Sequence, residues 1–503
     1  MEPKFKRNLI DHLSDPNLPR SSRSWFWANE VANIYKIPPP TNNNVVVAVV
    51  SFGGGLYGTL DSSGNLTNSD AEKYWLSLGI SPSNIPKVMI KTIDGAKNKP
   101  KDTDSGETME NTIDIETIGA CCPTSKLTII LYIAPNDLNE FPRLINYILN
   151  DTILINNVNY TPSVISISWG APEIYYGNSL LNSINNLFSV AINKGINITV
   201  ATGDNGSNDG VGGNGSYCDF PSSSPNVTAV GGTKLYCPNY IYNKNTIETA
   251  WSSGGGAISN YFKKPSYQNL LNVTKRSTPD IALVSDPNTG IRYLLNGYTY
   301  IIGGTSIASP IFAGFLAAIN ANKFINPIIY SAGTICFNDI KTGSNGHFKA
   351  KINYDNCTGF GSIKGDILNN VYNTNLITSN SNLTIFYKTK SQLLISSNLD
   401  SNLFTFSSNN QKIVTIDKLG YITATGLGST IININTPNPY VTKTINITVL
   451  MSTQLKIKTY YKNSYLKQHI VLKKNIKPTQ QKITKTKTKI KNINLLLLYS
   501  QKK

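Results

Sequence analysis

The chain is 503 residues long, 40% apolar, and carries a formal net charge of +17. That length exceeds one ordinary domain of roughly 100–200 residues, and the apolar share permits a sizeable core. No stretch reaches the ~20 apolar residues of a transmembrane helix. The charged start Met1-Glu2-Pro3-Lys4-Phe5-Lys6-Arg7 is followed by no apolar run of secretory length, so no signal peptide is expected.

In chain order, the first element is a β-branched run at 45–50 that ends in Ser51-Phe52-Gly53-Gly54-Gly55. Helix-like stretches follow at 70–78 and 107–120, then a second apolar run at 127–134. Further runs at 164–169 and 196–201 bracket a helical stretch at 180–194. Runs apolar on both faces suit strands of a buried parallel sheet. Their alternation with helices predicts an α/β layered domain, with its Gly-rich loops at 203–216 and 252–256 at the strand ends where such sheets bind ligands. From Leu383 the pattern changes to short period-2 strands broken by Asn and Gly, which predicts a small β-sandwich. Beyond Met451 no core pattern remains. Lysines are dense and acids absent from Gln454 onward, so a solvated, disordered basic tail accounts for much of the charge, and no nucleic-acid partner is expected. The expected division is an N-terminal extension at 1–24, an α/β domain at 25–378, a β-sandwich at 379–450 and a tail at 451–503.

The chemistry centres on Gly303-Gly304-Thr305-Ser306, which opens an apolar, small-residue helix. A serine hydroxyl needs a base to become a nucleophile. The chain has three histidines, His12, His347 and His469, all in polar or basic contexts. A carboxylate is therefore the expected base, which implies acidic working conditions. Glu110 and Asp114 are spaced to share one helix face. Buried together, they would suit a base and its orienting partner; alone, the pair also reads as a solvated acidic face. Asp204, in a Gly-Asp-Asn-Gly turn after a strand, could donate a hydrogen bond to an oxyanion if protonated. Of the six cysteines, Cys336–Cys357 and then Cys218–Cys237 are the candidate bridges, and the adjacent Cys121 and Cys122 read as buried thiols.

Together these elements resemble the serine-carboxyl peptidases, the sedolisin family, across about residues 25–372. The resemblance runs in order through Asn29-Glu-Val-Ala-Asn-Ile-Tyr35, Ser51-Phe-Gly-Gly-Gly55, Glu110 with Asp114, Ser168-Trp169-Gly170, Gly203-Asp204, Trp251-Ser-Ser-Gly-Gly-Gly256, Pro279-Asp280 and Ser306. It implies a subtilisin-like doubly wound fold and a Ser-Glu-Asp triad of Ser306, Glu110 and Asp114. Asp204 would assist the oxyanion, and polypeptides would be the substrates. It also implies one structural calcium ion, held by Asp339 and Asp355 and by the carbonyls of Ile340, Lys351 and Asn353. The last two stand where the family has glycines. Family members are usually made with a long prodomain, whereas this chain begins almost at the mature domain, and an acid some members carry before the triple glycine is here Ser51-Phe52. Residues 383–449 resemble a group 2 bacterial Ig-like domain, which implies a spacer or an adhesive unit facing a surface or protein ligand. The expected protein is monomeric and works in an acidic or extracellular compartment or a virion. The rival expectation is an inert peptidase scaffold used for binding.

Overall fold

The computed structural model describes residues 24–101 and 106–452, with the backbone of two further strands, Leu455–Lys462 and Tyr465–Leu472. At its centre are β1 (Val45–Ser51), β2 (Lys87–Thr92), β3 (Leu127–Ile133), β4 (Val164–Ile167), β5 (Asn197–Ala201), β6 (Thr228–Tyr236), β7 (Ile247–Ala250) and β8 (Ile281–Val284). They line up as β7-β6-β5-β4-β1-β3-β2, with β8 also on β6 and two short strands beyond β2. Every pairing from β2 to β6, and that of β6 with β8, is parallel. Antiparallel strands occur only at the margins.

Every residue of β1 is buried, because alternate side chains enter different cores. Val45, Val47 and Val49 face a core shared with α1 (Ala28–Ile34), α2 (Asp70–Ser77), α3 (Glu107–Cys121) and α6 (Thr305–Ala318). Val46, Ala48 and Val50 face α4 (Glu140–Asn150) and α5 (Asn178–Asn193). Helices on both faces of a mainly parallel sheet make the expected doubly wound, subtilisin-like architecture.

Two helices depart from amphipathic form. All residues of α6 are buried, and so is all of α3 after Glu107. Glu110 and Asp114 therefore lie in the interior, and the solvated acidic face is excluded.

The C-terminal β region has its own core of Phe404, Val414, Ile422, Ile432, Ile434, Ile445, Ile447 and Val449. One sheet runs Asn382–Phe386, Thr442–Leu450, Gly428–Asn435, Thr405–Ser408, and the other Lys390–Gln392, Tyr421–Ala424, Val414–Ile416. Leu376–Thr378 pairs with Ile395–Ser397, so this unit begins slightly before the expected boundary at 379. It is fastened to the α/β domain by Asn438, whose buried amide donates to the carbonyls of Val371 (3.0 Å) and Tyr372 (2.9 Å), at the end of a helix spanning Gly365–Tyr372.

Within the expected tail, Leu455–Lys462 and Tyr465–Leu472 pair as an antiparallel hairpin, while 473–503, like the extension through residue 23, lies outside the described residues. Neither proposed disulfide is present: all six cysteines are free and buried. Cys218 and Cys237 instead face the hydroxyls of Thr278 (3.4 Å) and Thr246 (3.6 Å). Cys336 belongs to the main apolar core and Cys357 lies outside it. Cys121 and Cys122 are buried thiols, as expected, and burial pushes Cys122 up to about 12.

Candidate active site

Ser306 is the second residue of α6, where the first backbone N–H groups of a helix have no intrahelical acceptor. A hairpin of β9 (Ile291–Leu295) and β10 (Tyr298–Ile302) delivers the chain to this turn. Gly304 adopts φ +119, and a Cβ there would stand 2.7 Å from Asp204 Oδ2. Glycine thus lets Asp204 close onto the helix start. Its Oδ1 accepts hydrogen bonds from the Thr305 backbone N–H (2.7 Å) and the Thr305 hydroxyl (2.9 Å). Gly203 N–H donates in turn to Thr305 Oγ1 (3.1 Å). The turn after β5 and the turn before α6 are thereby tied together, with Asp204 and Ser306 on the joined surface.

Pro310, inside α6, has no N–H to give the carbonyl four residues back, which is that of Ser306. The Ser168 hydroxyl reaches to within 3.5 Å of that carbonyl. The same hydroxyl donates to Asp114 Oδ1 at 2.8 Å. Ser168 therefore stands between the helix carrying the serine and the helix carrying the acids. Glu110 and Asp114 are fully buried on α3, one turn apart. The two helices pack directly on each other, with Gly314 at the contact, where a Cβ would be 2.5 Å from Cys121 Cβ.

The triple glycine presses on the start of α3: a Cβ on Gly54 would lie 2.6 Å from the Thr108 nitrogen. Asn111 and Ser51 both donate to the Gly53 carbonyl at 3.0 Å. Ser51 is thus engaged locally, and Phe52 packs edge-on against Trp169 (5.6 Å) and Phe141 (5.1 Å). Aromatic packing occupies the place where the resemblance would put a carboxylate.

Among the described side chains the one histidine, His347, is exposed and packs on Phe348 at 4.8 Å. His12 and the side chain of His469 lie outside the described residues. Sequence reasoning missed Asp209 and Asp219, two buried acids beside Asp204, and the hydroxyl role of Ser168. The available signal for the acids was Gly170 and Gly203, which leave room for them.

Of the expected metal ligands, Asp355 accepts from the N–H groups of Lys351 (3.0 Å), Cys357 (2.9 Å) and Thr358 (2.9 Å). Asp339 Oδ1 is buried with no hydrogen-bond partner, and Ile340 beside it is buried. Asn353 takes φ +65, a region asparagine tolerates, so the loop keeps a form that glycine would allow. Among the described residues no group of three or more His, Cys, Asp or Glu side chains could hold a metal ion. A two-carboxylate, carbonyl-rich set of hard oxygens still suits calcium, and the orphaned Asp339 oxygen fits that role.

A serine in the first turn of a buried helix, tied to Asp204 through Thr305 and packed on the helix that carries Glu110 and Asp114, stands on a doubly wound sheet of subtilisin type. Residues 146–335 match the sequence model of the Subtilase family, a span that includes Ser306 and Asp204 but not Glu110 or Asp114. Kumamolisin of Bacillus sp. strain MN-32 is 32% identical over 360 residues, which is 66% of this chain and 61% of kumamolisin. The chain thus spans about three fifths of that relative's length. Sedolisin of Pseudomonas sp. strain 101 is 33% identical over 228 residues, 40% of this chain and 38% of sedolisin. Rattus norvegicus tripeptidyl-peptidase 1 is 30% identical over 195 residues, 35% of this chain and 33% of that protein. Among solved structures, Pseudomonas sedolisin, a serine-carboxyl proteinase complexed with two molecules of pseudo-iodotyrostatin, superposes with a TM-score of 0.59 at 26% identity, covering 69% of this chain and 98% of sedolisin. Residues 146–335 thus carry the sequence pattern of the Subtilase family, and the chain is similar to sedolisin-type peptidases in sequence and in fold.

Proposed function

We propose that this chain is a serine-carboxyl peptidase that hydrolyses polypeptides at acidic pH. Glu110 takes the proton of the Ser306 hydroxyl, which attacks the peptide carbonyl, and Asp114 orients Glu110. The Ser306 N–H and a protonated Asp204 hold the oxyanion. Asp204 Oδ1 already accepts two donors from Thr305, which leaves Oδ2 to carry the proton. Glu110 returns its proton to the leaving amine, and water then releases the acyl group from the serine. The base must be ionised and the oxyanion acid neutral, so the rate falls on both sides of an acidic optimum.

One observation carries this reading: Asp204 is bonded to the first residue of the helix that bears Ser306, while Asp114 is linked through Ser168 to the same turn. Ser306→Ala and Glu110→Ala should each abolish cleavage of a denatured protein at about pH 4 while folding persists. Cleavage retained by either variant, or none by the parent chain, would sink the reading. The second result would leave the inert scaffold. Mass spectrometry of the products separates internal cleavage from release of tripeptides.

Calcium would be held by Asp339, Asp355 and the carbonyls of Ile340, Lys351 and Asn353, and would supply loop stability rather than reactivity. A chelator should lower the Tm by about 5 °C or more, with calcium restoring it and magnesium failing to do so. The β-sandwich is read as an Ig-like spacer that presents the peptidase, as a monomer, to a surface or protein ligand in an acidic or extracellular setting.

A further inference from the structure

The proposed reaction gives no role to Glu116, the last acid of α3. It stands two residues past Asp114, roughly 200° round the helix, and so leaves from the side away from the base and its partner. Glu116 is 1% exposed. Its Oε2 accepts the backbone N–H of Leu294 at 2.9 Å, while Oε1 is buried with no hydrogen-bond partner. Leu294 lies on β9, the first strand of the hairpin that runs into Gly303-Gly304-Thr305-Ser306. One helix therefore carries the proposed base and, on another face, grips the hairpin that delivers the serine.

Among the described strands β10 pairs only with β9, so the hairpin is fastened through the free edge of β9 and through its ends. Phe26 donates its N–H to the Gly290 carbonyl and accepts that of Arg292, both at 2.9 Å. The Tyr74 hydroxyl donates to the Arg292 carbonyl (2.8 Å), and Asn296 N–H donates to Asp70 Oδ2 (2.5 Å). At the far end Gly304 N–H donates to the Ser285 carbonyl (2.6 Å). Of these ties, the one at Leu294 alone comes from the helix that bears Glu110 and Asp114. That helix is itself held beside Glu116: the Trp75 indole N–H donates to the Glu116 carbonyl at 2.9 Å, and a Cβ on Gly119 would stand 2.2 Å from the same indole. Burial raises the Glu116 carboxyl well above the usual carboxylate range; the Leu294 N–H opposes the rise and Asp70 adds to it. In acid the group thus accepts as a neutral carboxyl, a state that glutamine reproduces.

We propose that Glu116 is a positioning residue, a crossbar between α3 and the β9–β10 hairpin that sets the serine turn against the helix of the base. The crossbar needs an acceptor at Leu294 and needs no charge. Without it a buried N–H loses its partner, and the hairpin can shift along α3. A misplacement of about 1 Å between reacting groups can cost about a hundredfold in rate. The consequence for rate rests on the peptidase reading, whereas the tie between helix and hairpin does not.

The test compares Glu116→Leu, which keeps the bulk and removes the acceptor, with Glu116→Gln, which keeps both. In acid, Glu116→Leu should lower kcat per folded molecule about tenfold or more with KM little changed, and Glu116→Gln should bring it to within about twofold of the parent. A leucine variant that loses Tm but keeps its kcat, or a glutamine variant as slow as the leucine one, overturns the proposal. A second measurement needs no activity. In a Ser306→Ala background, amide hydrogen exchange across residues 291–302 should be about tenfold or more faster in the leucine variant. The glutamine variant should match the parent, and Glu140–Asn150 should not change. Unchanged exchange at 291–302 overturns the crossbar. Should Glu116→Leu fail to fold, the Leu294 amide of the parent decides. Exchange about a hundredfold or more slower than a free amide supports the tie, and free exchange overturns it. A parent chain that cleaves nothing would sink the peptidase reading, while exchange would still decide the crossbar.

Discussion

Ser168 joins two buried helices through a single hydroxyl. It gives Asp114 a short hydrogen bond and stands near a carbonyl that Pro310 has deprived of its helical donor. Ser168→Ala removes a donor from a buried carboxylate, a loss of about 1–3 kcal/mol in stability. In the proposed mechanism Asp114 orients Glu110, so on that reading kcat should fall about tenfold or more with KM little changed. Ser168→Thr should recover most of the rate. Steady-state kinetics on the three proteins decides this, and equal kcat in the alanine variant would deny Ser168 the role. The serine was legible in sequence as part of Ser168-Trp169-Gly170. Its partner was not, because Asp114 lies 54 residues away and meets it only across two packed elements.

The pairing of α3 with α6 is the element on which the site depends. Each is buried nearly all round, so neither has a polar face from which its partner could be read. The contact is set by Gly314, where a side chain would collide with Cys121 Cβ and come within 3.1 Å of the Ile118 carbonyl. Gly314→Val should force the helices apart, destabilising the domain by about 1–3 kcal/mol in urea unfolding. It should also cut activity far more than the lost stability explains, since Glu110 and Asp114 move with α3. A variant that loses stability but keeps its full kcat would show that the helix spacing does not govern the site. The sequence disclosed the acids' spacing of four and the small-residue character of α6. It could not disclose burial, which decides whether two carboxyls are a solvated face or a base pair.

At the scale of the whole molecule, the α/β domain and the β-sandwich have separate cores but share a fixed joint. Asn438 is wholly buried and spends both amide hydrogens on the last turn of the Gly365–Tyr372 helix, and Tyr440 donates to the Phe324 carbonyl at 3.1 Å. A sandwich held this way is carried as a rigid extension rather than on a free tether. Asn438→Ala removes the amide donor from the Tyr372 carbonyl, while the Val371 carbonyl keeps the N–H and hydroxyl of Thr374, at a cost of about 1–3 kcal/mol at most. Calorimetry should then resolve two thermal transitions where the parent chain shows one. A single, unshifted transition would mean the joint contributes no coupling.

The sequence by itself determined the alternation that makes a doubly wound sheet, the change to period-2 strands near residue 380, and the Gly-Gly-Thr-Ser turn with its acids. These are local: strand burial follows from β-branched runs, and the turn from glycines that alone adopt its backbone angles. Only the tertiary structure decided that the cysteines stay apart, that Ser168 bridges the acids to the serine's helix, and that Asp209 and Asp219 gather beneath Asp204. Those facts depend on distances between segments far apart in the chain. Such distances are set by how helices and strand ends pack, and no short window of residues encodes them.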